Sequence, residues 1–162
     1  MEDMPALRRI YAAARRFMRE TGNPNQWGED RPEEQLLIQD IALRRLYVCE
    51  EQGRPCASFA FIPGEDPTYK VIYEGAWLNR EPYAVLHRVA SDGACHGMLE
   101  KMLTFCRQGG TDLRIDTHRE NRVMQHLLEK NGFKRCGIIH LLDGDERLAY
   151  QWVSKKDTFM TK

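Results

Sequence analysis

Residues Leu113 to Phe133 read LRIDTHRENRVMQHLLEKNGF. A strand, a polar turn, a helix and a glycine stop follow in that order, and the rest of the chain is read around them. Leu113 and Ile115 alternate with Arg114 and Asp116, the period of two that marks a strand end. His118 to Asn121 is polar, with Asn121 positioned near a helix start. Val123, Met124, Leu127 and Leu128 then recur at helical spacing. Asn131-Gly132 ends the helix, because glycine enters the left-handed C′ conformation without a Cβ clash. A strand that hands polar residues to a short helix is a common way to build a ligand site at the carboxyl edge of a sheet.

Working outward, Tyr83 to Ala90 is a strand whose continuous apolar content predicts a central position. It runs into the loop Ser91 to Ala94 and then a helix from Gly97 to about Cys106, stopped by Gln108-Gly109-Gly110. Downstream, Phe133 to about Leu142 and Leu148 to Val153 are closing strands around the turn Asp143-Gly144-Asp145. At the front, Leu7, Ile10, Tyr11, Ala14, Phe17 and Met18 give Met4 to Glu20 an amphipathic helical face. The loop Thr21 to Gly28 follows, and Pro32 opens a second helix from Glu33 to about Leu43. Leu46 to Glu50, Pro55 to Ile62 and Tyr69 to Trp77 read as further strands. The order α, α, β, β, β, β, α, β, α, β, β predicts an α+β fold. Its mixed, mostly antiparallel sheet carries helices on both faces. One domain is expected over residues 1–153, with a loose tail at 154–162.

The 24 basic and 24 acidic residues cancel, which argues against a dedicated nucleic-acid partner. No apolar run is long enough to cross a bilayer, and the N-terminus lacks a signal-peptide pattern. The five cysteines (Cys49, Cys56, Cys95, Cys106 and Cys136) are scattered without metal-ligand spacing. They are expected to be reduced thiols in a cytoplasmic protein, with no bound metal.

The second informative stretch is Ser91-Asp92-Gly93-Ala94-Cys95-His96-Gly97-Met98. Gly93 and Gly97 let the backbone turn tightly and approach a ligand. The helix start adds free N–H groups that suit a phosphate or pyrophosphate. With this loop, His87-Arg88-Val89-Ala90-Ser91 before it, and Asn121 through Glu129-Lys130-Asn131-Gly132-Phe133 after it, the chain resembles the GNAT superfamily of N-acetyltransferases. The resemblance runs from the first helix to the last strand. The front section from Ala14 to Gly28 is similar to that of a bacterial subgroup.

The resemblance implies the GNAT fold, with its usual first edge strand missing, because the first helix begins almost at Met1. It implies acetyl-CoA as cosubstrate, lying between the Tyr83–Ala90 and Leu113–Thr117 strands. The cofactor contacts it implies are Arg88, Val89, Ala90, Cys95, His96, Gly97, Met98, Asn121 and Leu128. Direct transfer to an amine acceptor in a ternary complex is the implied reaction. A CoA-binding regulatory module without catalysis is the alternative, and a homodimer suits the family. The chain departs from the family pattern at Ala94 and Leu99, where the loop usually carries Gln or Arg and a small residue. It departs again at Leu128, where many members place a tyrosine acid. Glu74, Asp116 and His118 are candidate proton acceptors. The stronger reading of Glu74 is an exposed strand residue, and that of Asp116 or His118 a helix cap. His87 reads as a core histidine. Trp27 is either a wall of the acceptor pocket or a loop anchor.

Overall fold

Alternate residues of the first strands point to opposite faces, and each face meets a different pair of helices. The computed structural model describes residues 3–155. Helix α1 (Met4–Glu20) and helix α2 (Glu34–Ala42) precede the antiparallel strands β1 (Leu46–Glu51) and β2 (Arg54–Pro63). Strand β3 (Tyr83–Ser91) leads to α3 (Met98–Arg107), β4 (Asp112–Thr117), α4 (Arg122–Lys130), β5 (Lys134–His140) and β6 (Glu146–Trp152). The six strands form one sheet in the order β1-β2-β3-β4-β6-β5, antiparallel except for the β3–β4 pair. This is the α+β plan expected from the sequence. Among the described residues no strand precedes α1.

Leu46 and Val48 pack with Leu7, Ile10 and Leu37 of α1 and α2. Their neighbours Tyr47 and Cys49 pack on the other face with Met102, Leu103 and Cys106 of α3. That second cluster is the larger core and takes in Leu128 and Phe133 from the opening stretch. Burying one such aliphatic side chain stabilises the fold by roughly 1.5–3 kcal/mol.

One expectation is corrected. Tyr69 to Trp77 is not a strand: Pro67–Tyr69 forms a 3₁₀ turn, and the chain beyond it is a loop. Pro67 starts the turn, and the Asp66 carboxylate caps it by accepting the Thr68 N–H at 2.8 Å. The apolar residues that looked like strand alternation are sorted differently. Tyr69 is buried while Val71 and Tyr73 are exposed. The loop instead lies along the free edge of β5, through a single antiparallel bridge between Tyr73 and Ile138. The expected tail lies outside the described residues beyond Lys155, although Ser154 is held, its N–H donating to Asp112 at 2.9 Å. No helix among the described residues is long and apolar enough to cross a membrane.

Two departures from regular pairing shape the centre of the sheet. The β3–β4 ladder runs only from Tyr83↔Asp112 to Val85↔Arg114, although both strands continue. In the β2–β3 ladder, Ala60 faces His87 but Ser58 faces Ala90, so β3 carries one extra residue. Arg88 occupies that bulge with a φ of 53°. A non-glycine residue there is strained and is kept only where its surroundings hold it. Two contacts hold it here: the Tyr11 hydroxyl donates to the Arg88 carbonyl at 2.9 Å, and the Arg88 guanidinium meets the fully buried Asp40 at 2.6 Å.

Candidate active site

Where β3 and β4 part, two cavities open and meet. The first, about 610 Å³, lies among the end of β3, the start of α3, α4 and the exposed side of α1. Its loop begins with Asp92, whose carboxylate accepts the Ala94 N–H at 2.9 Å and meets Arg54 at 2.9 Å. Gly93 and Gly97 both have positive φ, 79° and 68°. A Cβ at Gly97 would meet nothing within 4 Å. Glycine is needed there for the backbone angle that turns the chain into α3, not for space. The free N–H groups of the first turn of α3 follow directly.

The second cavity, about 450 Å³, lies on the other side of β3. Trp27 and Pro32 enter it from the loop between α1 and α2, and Leu141 and Leu142 from the end of β5. Met18, Val89, Asn121 and Met124 line both cavities. Asn121 is also the cap of α4, where its side chain accepts the Met124 N–H at 3.1 Å. Its amide nitrogen donates to Gln26 Oε1 at 2.9 Å. The same Gln26 oxygen accepts from Asn23 at 2.9 Å, so it ties the inter-helix loop to the helix that walls both cavities.

A polar group stands on the floor of the second cavity. His87 Nε2 lies 2.7 Å from Asp66 Oδ2, and His87 Nδ1 lies 3.9 Å from Asp116 Oδ2. The Tyr69 hydroxyl donates to the same Asp116 oxygen at 2.7 Å. Burial alone would push the Asp66 carboxyl up, but hydrogen bonds from His87 and from the hydroxyl and N–H of Thr68 bring it down to about 2. Tyr69, fully enclosed and beside Asp116, is held well above the usual tyrosine range. In the neutral imidazole, the 2.7 Å contact to Asp66 makes Nε2 the donor and leaves Nδ1, on the Asp116 side, as the acceptor.

The expected site residues divide among these places. Val89, Ala90, Cys95, His96, Gly97, Met98 and Asn121 line the first cavity. Arg88 lines the second, with its guanidinium turned to Asp40. Leu128 lines neither: it is fully buried in the main core, and Leu127 reaches the first cavity instead. Trp27 and Asp116 line the second cavity. Glu74 lies in the loop after Tyr73, exposed and away from both cavities. His118 lies just beyond β4, where its Nδ1 accepts the Glu120 N–H at 3.2 Å. Burial and then the nearby Arg147 hold its pKa below the usual histidine value.

Sequence reading missed Asp66, Gln26 and the exposure of His87 to a cavity. His87 sat within an apolar strand, which suggested the core. Its partner Asp66 lies 21 residues earlier, beyond a 3₁₀ turn and a long loop, so no local spacing pairs them.

No family model matches the chain, and no curated protein matches it. Solved structures do. A GNAT-family acetyltransferase from Streptococcus agalactiae is 33% identical, with a TM-score of 0.86, over 96% of this chain and 92% of that one. A GNAT-family acetyltransferase from Listeria monocytogenes is 17% identical, with a TM-score of 0.66, over 93% and 89%. A ribosomal-protein-alanine N-acetyltransferase from Brucella melitensis is 19% identical, with a TM-score of 0.61, over 94% of both chains. The last two likenesses are of fold alone.

Proposed function

The chain belongs to the GNAT family of acetyltransferases, and from that premise we propose that it carries the acetyl group of acetyl-CoA directly to a primary amine in a ternary complex. The observation that carries this reading is the meeting of two cavities at Val89, Asn121 and Met124, where the β3–β4 ladder has ended. A donor in one cavity and an acceptor in the other would come together there without a covalent enzyme intermediate.

The first cavity fits the cofactor. The turn at Gly93 and Gly97 and the N–H groups at the start of α3 suit a pyrophosphate, whatever side chains stand at Ala94 and Leu99. Lys130 adds a cation to the same wall. The β3 backbone past Val85, released from β4, offers the pantetheine arm its hydrogen bonds, and near Val89 it offers a donor to the thioester oxygen. Acetyl-CoA supplies the acetyl group and leaves as a thiolate.

In the second cavity His87 Nδ1 takes the proton of the incoming ammonium, while Asp66 holds Nε2–H and keeps the ring in place. Asp116 faces the same proton and attracts the cationic amine before it is neutralised. Leu128 carries no proton for the departing thiolate, so water or the acceptor's own second proton supplies it. That step is undemanding for a leaving group of moderate pKa.

The experiment is a melting curve with acetyl-CoA, followed by initial rates of CoA release with a panel of primary amines at varied concentrations of both substrates. Raised melting temperature and intersecting double-reciprocal lines are expected. Parallel lines would indicate a covalent acetyl-enzyme and overturn direct transfer. A melting shift with no turnover on any amine would favour the non-catalytic module.

A further inference from the structure

We infer that the acceptor also carries a carboxylate, as an α-amino acid does, and that Arg147 receives it; the inference rests on the acetyl-transfer reading above. Arg147 lies in the wall of the second cavity and is only 4% exposed. A buried guanidinium is normally matched by a close carboxylate, because burying an unpaired charge is costly. Two other enclosed arginines are each provided for, one by a carboxylate and one by aromatic rings. Arg88 has Asp40 at 2.6 Å, and Arg114 lies between the rings of Trp77 and Tyr83, 4.1 and 3.8 Å from their centres. Arg147 is provided for differently. It donates to two neutral carbonyls, Glu146 at 3.0 Å and Gln26 at 3.5 Å. Among the described residues the carboxylate within 4 Å of it is Asp145, at 3.7 Å with a side chain 59% exposed, and Asp143 on the same turn also feels its charge. A planar fork held by neutral groups at a cavity wall is suited to take both oxygens of a carboxylate.

The rest of the cavity agrees in kind. Ala149 pairs with Asp116 in the sheet. Arg147 is two residues from Ala149, on the same face and about 7 Å along the strand. The carboxylates that would draw an ammonium and the guanidinium that would hold a carboxylate thus lie one small molecule apart. Arg31 brings a second cation to this cavity, paired at 3.3 Å with Asp143. Trp27, Leu36 and Leu141 supply apolar walls for the body of the molecule. A peptide N-terminus or a protein lysine lacks the free α-carboxylate of an amino acid.

The test compares free amino acids with their own amides as acceptors, in the wild type and in Arg147→Met and Arg147→Lys. Acetyl-CoA-induced melting shifts serve as the check on the fold. The amide is the less basic amine, so reactivity alone favours it at neutral pH. The wild type is expected to use the acids at least about tenfold better in kcat/KM, because a site built for a polar group rejects the analogue lacking it. Arg147→Met should remove that preference by slowing the acids and leaving the amides unchanged, with the acetyl-CoA shift retained. Arg147→Lys should keep part of the preference. Acids and amides used equally by the wild type, or amides preferred, would overturn the inference and leave acetyl transfer to amines standing. An equal loss for acids and amides in Arg147→Met would overturn it too. If Arg147→Met does not fold, the wild-type ratio and Arg147→Lys decide. An acetyl-CoA shift with no turnover of either series counts against the inference while cofactor binding stands. No acetyl-CoA shift at all removes the reading beneath it, and the inference with it.

Discussion

At the scale of single residues, the proposed chemistry turns on His87. Replacing it with Gln removes the free lone pair at Nδ1 while keeping a polar group in the space. His87→Gln should lower kcat by roughly 10²–10⁴-fold and leave the acetyl-CoA melting shift unchanged. An equal loss in both would show that the residue only supports the fold. Its partner Asp66 makes a separate, pH-dependent prediction. Its folded pKa, about 2, lies below the ordinary 3.8. Its stabilising contribution is therefore present above about pH 4 and disappears as pH falls toward 2. The contribution is at most about 2 kcal/mol. Acid melts of the wild type and Asp66→Asn should differ most near neutrality and converge toward pH 2; a gap that stays constant would contradict the assignment. Neither residue declared itself in the sequence. The cap at Asn121 did, because helix capping is written into neighbouring positions, whereas a His–Asp pair 21 residues apart is created only when the chain folds back.

At the scale of elements, strong periodicity was read correctly and the loop between β2 and β3 was not. Helices α1 and α4 declared themselves through apolar spacing, and β4 through alternation. The stretch from Tyr69 to Trp77 also alternates, but its aromatic residues serve a loop: the Trp77 indole N–H donates to the Tyr69 carbonyl at 2.9 Å, and Tyr73 stacks on His140 with ring centres 4.6 Å apart. Gly75 was the overlooked signal. A Cβ there would sit 1.9 Å from the Cys136 carbonyl oxygen, a clash with backbone that no side-chain movement relieves. Gly75→Ala should therefore lift the loop from the edge of β5 and cost about 1–3 kcal/mol in urea unfolding. A change within a few tenths of a kcal/mol would mean that the loop is only loosely seated. The bulge in β3 was equally invisible, because Arg88 takes its conformation from Tyr11 and Asp40, distant residues that neither propensity nor spacing connects to it.

At the scale of the whole molecule, the two cavities are separate in their walls and joined at one seam. Gln26 reaches across that seam to Asn121 from the loop that also carries Trp27. Gln26→Ala should raise KM for acetyl-CoA and for the acceptor together, each by severalfold, because a neutral hydrogen bond contributes about 1 kcal/mol. A change in one KM alone would show that the loop does not reach the cofactor side. The dependence runs through neutral amides, so it persists at any pH that leaves the fold intact. It also bears on how such an enzyme diversifies. A descendant that rebuilt this loop for a new amine would disturb its grip on acetyl-CoA in the same mutational step, and would need a compensating change on α4 to recover. New acceptor preferences in this lineage should therefore arrive as linked pairs of substitutions, one in the loop and one near Asn121, rather than as single changes.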